Sequence, residues 1–92
     1  EEILQSTLGR DHILFAQNLH AFGRIAMARG DAGAAVPMLR EAVQSLEATW
    51  GTENPDLIPV LESYRTALAA QGMNTEEIDT RIRDIRATIP GT

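Results

Sequence analysis

The chain predicts an all-α fold, a right-handed α-solenoid of antiparallel helix pairs, and three observations carry that expectation. The stretch 8–30 is repeated by 50–72 at an offset of 42 residues: Phe15, Leu19, Phe22 and Ala26 stand where Leu57, Leu61, Tyr64 and Leu68 recur. Identical pairs across the offset include Leu4/Leu46, Thr7/Thr49, Gly9/Gly51, Leu19/Leu61 and Gly30/Gly72. The matched residues are of the kinds that set structure, namely glycines that end helices and large apolar residues spaced i, i+4, i+7, i+11. The composition agrees, with only 4% aromatic residues, abundant alanine and 43% hydrophobic content, as close helix-on-helix packing requires. A period of this length built from two helices is the mark of a helical stack.

Taken in order, residues 1–8 carry Ile3, Leu4 and Leu8 and correspond to the tail of a helix belonging to a preceding repeat. Gly9 is expected to stop that helix and Asp11 to cap the next, which runs from about His12 to Arg29. That helix has two apolar stripes, Phe15-Leu19-Phe22-Ala26 and Leu14-Ala21-Ile25-Ala28, which implies a neighbour on each side. Gly30 ends it, and Asp31 caps a helix to Trp50 with Ala35, Val36, Leu39, Ala42, Val43 and Leu46 inward. Pro37 within it removes one backbone bond, a cost of roughly 3 kcal/mol if uncompensated, and predicts a slight kink without a break. Gly51–Asp56 is turn chemistry, with Asp56 as N-cap and Pro59 in the first turn of a helix to about Gln71. After Gly72, Asn74 or Thr75 caps a last helix whose apolar stripe is Ile78, Ile82, Ile85 and Ile89. Glu76 and Glu77 in its first turn suit the helix dipole, and Glu77/Arg81 and Asp79/Arg83 are spaced as i,i+4 pairs. One narrow stripe after two-sided helices reads as a C-terminal cap. Pro90-Gly91-Thr92 is expected to fray. The organisation is one domain over 1–92: residues 1–8 as the preceding repeat's tail, 9–50 as repeat one, and 51–92 as repeat two with its capping helix.

Composition narrows the function classes. Ninety-two residues build one modest core, too little for separate cofactor and substrate domains. Thirteen acidic residues oppose eight basic ones, all arginine, for a net charge of −5. Such a chain lacks the positive footprint that nucleic acid or an anionic membrane surface selects. The absence of cysteine excludes disulfides, thiolate catalysis and zinc–thiolate sites. No apolar run approaches the roughly 20 residues that span a bilayer, and the expected location is cytoplasmic. The start at Glu1-Glu2 without methionine suggests a piece of something longer.

These residues together resemble tetratricopeptide (TPR) repeats, in particular the 42-residue variety of kinesin light chains and many bacterial signalling proteins. That pattern resembles L-G-x-x-H-P-x-x-A-x-x-L-N-N-L-A, then Q-G, then E-A-x-P-L and R-A-L. Leu8-Gly9, His12, Ala16, Leu19, Gly30, Ala35, Pro37 and Ala42 stand in the first copy, and Gly51, Pro55-Asp56, Leu61 and Gln71-Gly72 in the second. Gly23, Ala35 and Ala42 occupy the small-residue positions that let such helices approach closely. The family's paired inward asparagines are replaced by His20-Ala21 and Glu62-Ser63. In the last helix Glu77 and Asp84 stand where small alanines would sit, as suits a terminal cap.

In such a stack the first helix of each pair lines a concave face, which here would expose Gln17, His20, Arg24 and Met27 beside Glu62, Ser63 and Thr66. Arg24 could take an acidic side chain or a C-terminal carboxylate, because a guanidinium binds carboxylates in bidentate fashion; the plainer reading is a solvated polar surface. His20, Glu62 and Ser63 invite comparison with a hydrolytic triad, but no glycine motif for an oxyanion hole adjoins Ser63. His12 and His20, eight residues apart, fall on different turns and make no metal pair. Trp50 is either a partner anchor or, more often for such a residue, part of the core. Arg81, Arg83 and Arg86 alternate with acids as on a solvated face.

The reading is therefore a non-catalytic protein–protein interaction module, the C-terminal end of a longer array, that binds a peptide or protein partner in its concave groove through Gln17, His20, Arg24, Met27, Glu62, Ser63 and Thr66, with no cofactor or metal and no nucleic acid or membrane partner. The alternative is a structural or self-association element, a homo-oligomer formed through an N-terminal edge bearing Ile3, Leu4, Leu14 and Ala21.

Overall fold

The computed structural model describes the backbone of residues 2–88 and the side chains of residues 13–88. Four α-helices pack against one another: α1 (Glu2–Ala28), α2 (Ala32–Trp50), α3 (Ile58–Ala70) and α4 (Glu76–Ala87), with a 3-10 turn over Pro55–Leu57 leading into α3. Among the described residues there is no strand. Ile3, Leu4, Asp11 and His12 as side-chain expectations, together with Ile89 and 90–92, lie outside the described residues.

The turns follow from glycine. Gly30 and Gly72 have φ of 78° and 72°, a left-handed conformation that costs other residues roughly 1 kcal/mol or more. Each closes its helix with the same pair of backbone hydrogen bonds. Asp31 N donates to Ala26 O at 2.8 Å and Gly30 N to Met27 O at 3.0 Å; Met73 N donates to Leu68 O at 2.9 Å and Gly72 N to Ala69 O at 3.0 Å. This is the Schellman closure, which satisfies carbonyls otherwise left open at a helix end. Gly51, at φ 83°, ends α2. Asp31 caps α2 as expected, its Oδ1 accepting from Ala34 N at 3.1 Å.

One start differs from expectation, and the last helix begins at the two residues expected there. Asn54, not Asp56, caps the entry to the third helical segment, accepting from Asp56 N at 2.8 Å. Pro55 then sets a 3-10 turn before α3, which carries Pro59 in its first turn. At the last helix Thr75 stands at the N-cap without a side-chain cap bond; Asn74 Oδ1 accepts from Glu76 N at 2.8 Å, and Thr75 Oγ1 donates to Asp79 Oδ2 at 2.9 Å.

The main correction is at the beginning of the chain. The helix expected to break at Gly9 and restart with Asp11 as cap runs unbroken through both, from Glu2 to Ala28. A lone interior glycine costs a helix only about 1 kcal/mol against alanine, and no proline follows to forbid the helical conformation.

The core is aliphatic, built from Ala16, Ala35, Val36, Leu39, Ala42, Val43, Leu46, Leu57, Val60, Leu61, Ala67, Leu68, Ile78, Ile82 and Ile85, with Trp50 packed at its margin. Helix α2 lies between α1 and α3 and buries residues on both sides. Pro37 sits on its exposed side, and the helix continues past it. Helices α1 and α2 approach closely at Gly23: a Cβ there would lie 2.6 Å from Cγ of the fully buried Leu39. Ala35 and Ala42 are fully buried, as their small-residue positions led one to expect.

On α1 the inward line is Ala16, Leu19, Gly23, Ala26 and Met27. The expected stripe is thus half right. Leu19 and Ala26 pack on the core, while Phe15 and Phe22 point outward with Leu14, Ala21, Ile25 and Ala28. The two-sided sandwich expected around this helix is covered on one side only. The i,i+4 pairs expected on α4 are also replaced by longer reaches. Arg81 binds Glu47 on α2, and Asp79 meets Arg65 on α3 at 3.4 Å. An arginine side chain spans an interhelical gap as easily as one turn, and linking two elements holds the terminal helix in place. Burying Ile78, Ile82 and Ile85 contributes about 1.5–3 kcal/mol each to the same end.

Candidate functional site

The surface where α1 meets α3 holds most of the polar residues singled out in the sequence. His20 projects from the middle of α1 and Ser63 from the middle of α3, and His20 Nε2 lies 2.8 Å from Ser63 Oγ. Both side chains are half-buried, and this hydrogen bond ties helices that are 43 residues apart in sequence. The imidazole pKa is pushed down, first by burial and then by the Arg24 guanidinium one turn along α1. At neutral pH the ring is therefore uncharged, and one nitrogen can either donate to or accept from the serine.

Around this pair Gln17, Arg24 and Thr66 are exposed. Thr66 directs its hydroxyl to its own helix, donating to Glu62 O at 2.9 Å. The Glu62 carboxylate turns away from His20 and pairs with Arg86 on α4. Met27 is half-buried and packs against the core, so its side chain is largely a structural filler. The structure therefore joins His20 to Ser63, keeps Arg24 beside them, and separates Glu62 and Met27 from the group.

The three-residue arrangement of a hydrolase is not assembled among the described residues. Glu62 belongs to Arg86, and no carboxylate orients the second nitrogen of His20. Ser63 lies within a helix, where neighbouring backbone N–H groups are already bonded along the helix and offer no oxyanion cradle. No group of three or more potential metal ligands occurs among the described residues. None of their helices is long and apolar enough to cross a membrane.

Comparison with family models, curated proteins and solved structures gives no match. The functional reading rests on the chain itself.

Two features escaped the sequence reading. One is a charged cleft of 340 Å³ between α3 and α4, lined by Glu62, Arg65, Asp79, Ile82, Arg83 and Arg86. Its ion pairs link residues 14 and 24 positions apart, a separation that no local spacing announces. The other is the outward apolar side of α1, where Phe22 and Ile25 are 57% and 49% exposed. Its signal was present as an excess of apolar residues around the helix, but an excess does not say which side is covered.

Proposed function

We propose that the chain is a non-catalytic protein-interaction module, a TPR-like stack of helix pairs that captures a peptide or protein segment along the face carrying Gln17, His20, Arg24, Ser63 and Thr66. The observation that carries this reading is the position of Arg24. It is exposed beside the His20–Ser63 bridge and, among the described residues, has no carboxylate partner. Arg65, Arg81 and Arg86 are each engaged by an acid of the protein itself. An uncommitted guanidinium beside a neutral imidazole on an acidic protein suits a ligand carboxylate, bound bidentate by Arg24, with Gln17 and Thr66 as polar contacts.

The test is selection of binding peptides from a displayed library with free C termini, followed by titration of the best binder against variants. Arg24→Ala should weaken binding about 10- to 100-fold, the worth of a hydrogen bond to a charged group. Amidation of the peptide's C terminus should do the same where the terminal carboxylate is the anchor. Binders indifferent to Arg24→Ala and to His20→Ala would overturn the assignment of this face.

A further inference from the structure

The outer side of α1 has relief as well as apolar surface. Ala21 and Ala28, one turn before and one turn after Arg24 and Ile25, leave a depression of 380 Å³ with those two longer side chains as its walls. A second depression, of 390 Å³, lies where the helix meets the start of α2, between Phe22, Ile25 and Arg29 on one side and Asp31, Ala34 and Met38 on the other. Ile25 borders both, so it stands as a ridge with a groove on each side. That is the relief one helix offers another, whose own side-chain ridges seat in the grooves. Phe22 and Ile25 are exposed, and Leu14 and Phe15 continue the apolar surface toward the start of the helix.

We infer that these grooves receive an amphipathic helix of an acidic partner protein, its apolar stripe astride Ile25 and its acidic residues reaching Arg24 and Arg29. The inference rests on the reading above, with which it shares Arg24, and gives the captured segment a conformation and a charge. The conformation follows from the paired grooves, which helical ridges fill together. The charge follows from the arginines. Between residues 13 and 30 the charged side chains are Arg24 and Arg29, with no acid. Both are exposed, and neither pairs with a carboxylate among the described residues. Arg24 walls the first groove and Arg29 the second, so each groove has its own unpaired guanidinium. Asp31 is the one acid lining either groove, and its Oδ1 is committed to the N–H of Ala34 at 3.1 Å. Two arginines and one aspartate leave the grooves at +1 on a chain whose net charge is −5. A second copy would bring the same arginines against themselves, and a basic helix would be repelled. Acids on a partner helix pair with both guanidinium groups at the rim, where charge chooses the partner and fixes its register while the apolar stripe supplies affinity.

The experiment is selection on the 92-residue chain from a displayed library of helices of about 18 residues, beside a matched library with a central proline that bars a continuous helix. Binders should come from the helix library and carry Asp or Glu on both sides of an apolar stripe. In titrations of the best binder, Phe22→Glu and Ile25→Glu should each weaken binding at least about 30-fold, as loss of a central anchor does. Arg29→Glu should weaken it at least about 10-fold, and the Arg24→Glu, Arg29→Glu double variant should bind again when the peptide's acids are changed to lysine. Thr80→Glu on α4 should leave affinity unchanged. All these positions are exposed or half-buried in the single chain, so the variants keep the fold, which circular dichroism checks. Sedimentation equilibrium of the chain alone tests self-covering: a dimer lost in Phe22→Glu would assign the grooves to a second copy and overturn the proposal. So would an empty helix library, or binders that are basic or neutral. Binders that need Arg24 yet come equally from the proline library and ignore Ile25→Glu and Arg29→Glu would overturn this inference and leave the broader reading standing. Binders indifferent to Arg24 would overturn both.

Discussion

Helices α1 and α3 carry one sequence pattern 42 residues apart, yet they begin differently and are buried differently. They close alike, through the same pair of backbone bonds at Gly30 and Gly72. They begin apart, because the chain passes through Gly9 as helix and stops at Gly51. What separates the two is downstream chemistry. Asn54-Pro55 follows Gly51, proline disfavours helix in the residue before it, and the Asn54 side chain caps the next turn. After Gly9 come Arg10-Asp11-His12, which a helix accepts. A glycine permits a stop; the residues after it decide whether the stop is used.

Burial makes the second contrast. Leu57, Leu61 and Leu68 on the α3 side are at most 5% exposed, while their counterparts Phe15, Leu19 and Ala26 are exposed or half-buried. The most forceful way to break the comparison is therefore to truncate matched residues. Leu61→Ala should cost about 2–5 kcal/mol of unfolding free energy in urea titrations. Leu19→Ala should cost clearly less, and Phe22→Ala in the dilute single chain under about 0.5 kcal/mol. Equal losses at Leu19 and Leu61 would mean that α1 is covered like α3.

The next effect is at the helix seam. Gly23→Ala places a methyl group against Leu39, and overpacking of this kind costs about 1–3 kcal/mol, only partly offset by alanine's helix preference of about 1 kcal/mol. The melting temperature should fall. A rise would place the two helices farther apart than described.

The glycine comparison sharpens with a matched pair of smaller changes. Gly9→Ala should stabilise by about 0.5–1 kcal/mol, since the helix interior favours alanine, and Gly51→Ala should destabilise by a similar amount because its φ is +83°. Loss of stability in both variants would show that the chain stops at both glycines.

The smallest effect concerns His20. Burial and Arg24 lower its folded pKa below the unfolded value of 6.5, so the neutral ring is favoured in the folded chain. The associated stability is fully present above pH 6.5 and is lost as pH falls from there through the lower folded pKa. His20→Gln should flatten that part of the pH–stability curve relative to wild type, and Arg24→Ala should move the His20 titration upward in NMR. A wild-type curve matching that of His20→Gln between neutral and mildly acid pH would contradict the described environment.

Much of the fold was legible because local chemistry decided it. Gly30, Gly51 and Gly72 announce helix ends, Asp31 a cap, Gly23, Ala35 and Ala42 a close seam, and Ile78, Ile82 and Ile85 a one-sided last helix. What could not be read were choices made by partners distant in sequence. Phe15 and Phe22 have the spacing of an inward stripe, but α1 is apolar on two sides, and periodicity alone cannot say which meets α2. Arg81 can reach Glu77 or Glu47 with similar ease, and only the placement of α4 on α2 decides. At the polar face the sequence singled out His20 and Ser63 separately, and their meeting at 2.8 Å depends on how α1 crosses α3.

The most direct measurement is the attenuation of side-chain methyl signals by a soluble paramagnetic agent in dilute solution, comparing Ile25 with its counterpart Ala67. The account predicts that Ile25, 49% exposed, is strongly attenuated and that Ala67, fully buried, is not. An Ile25 methyl protected as well as that of Ala67 would contradict it.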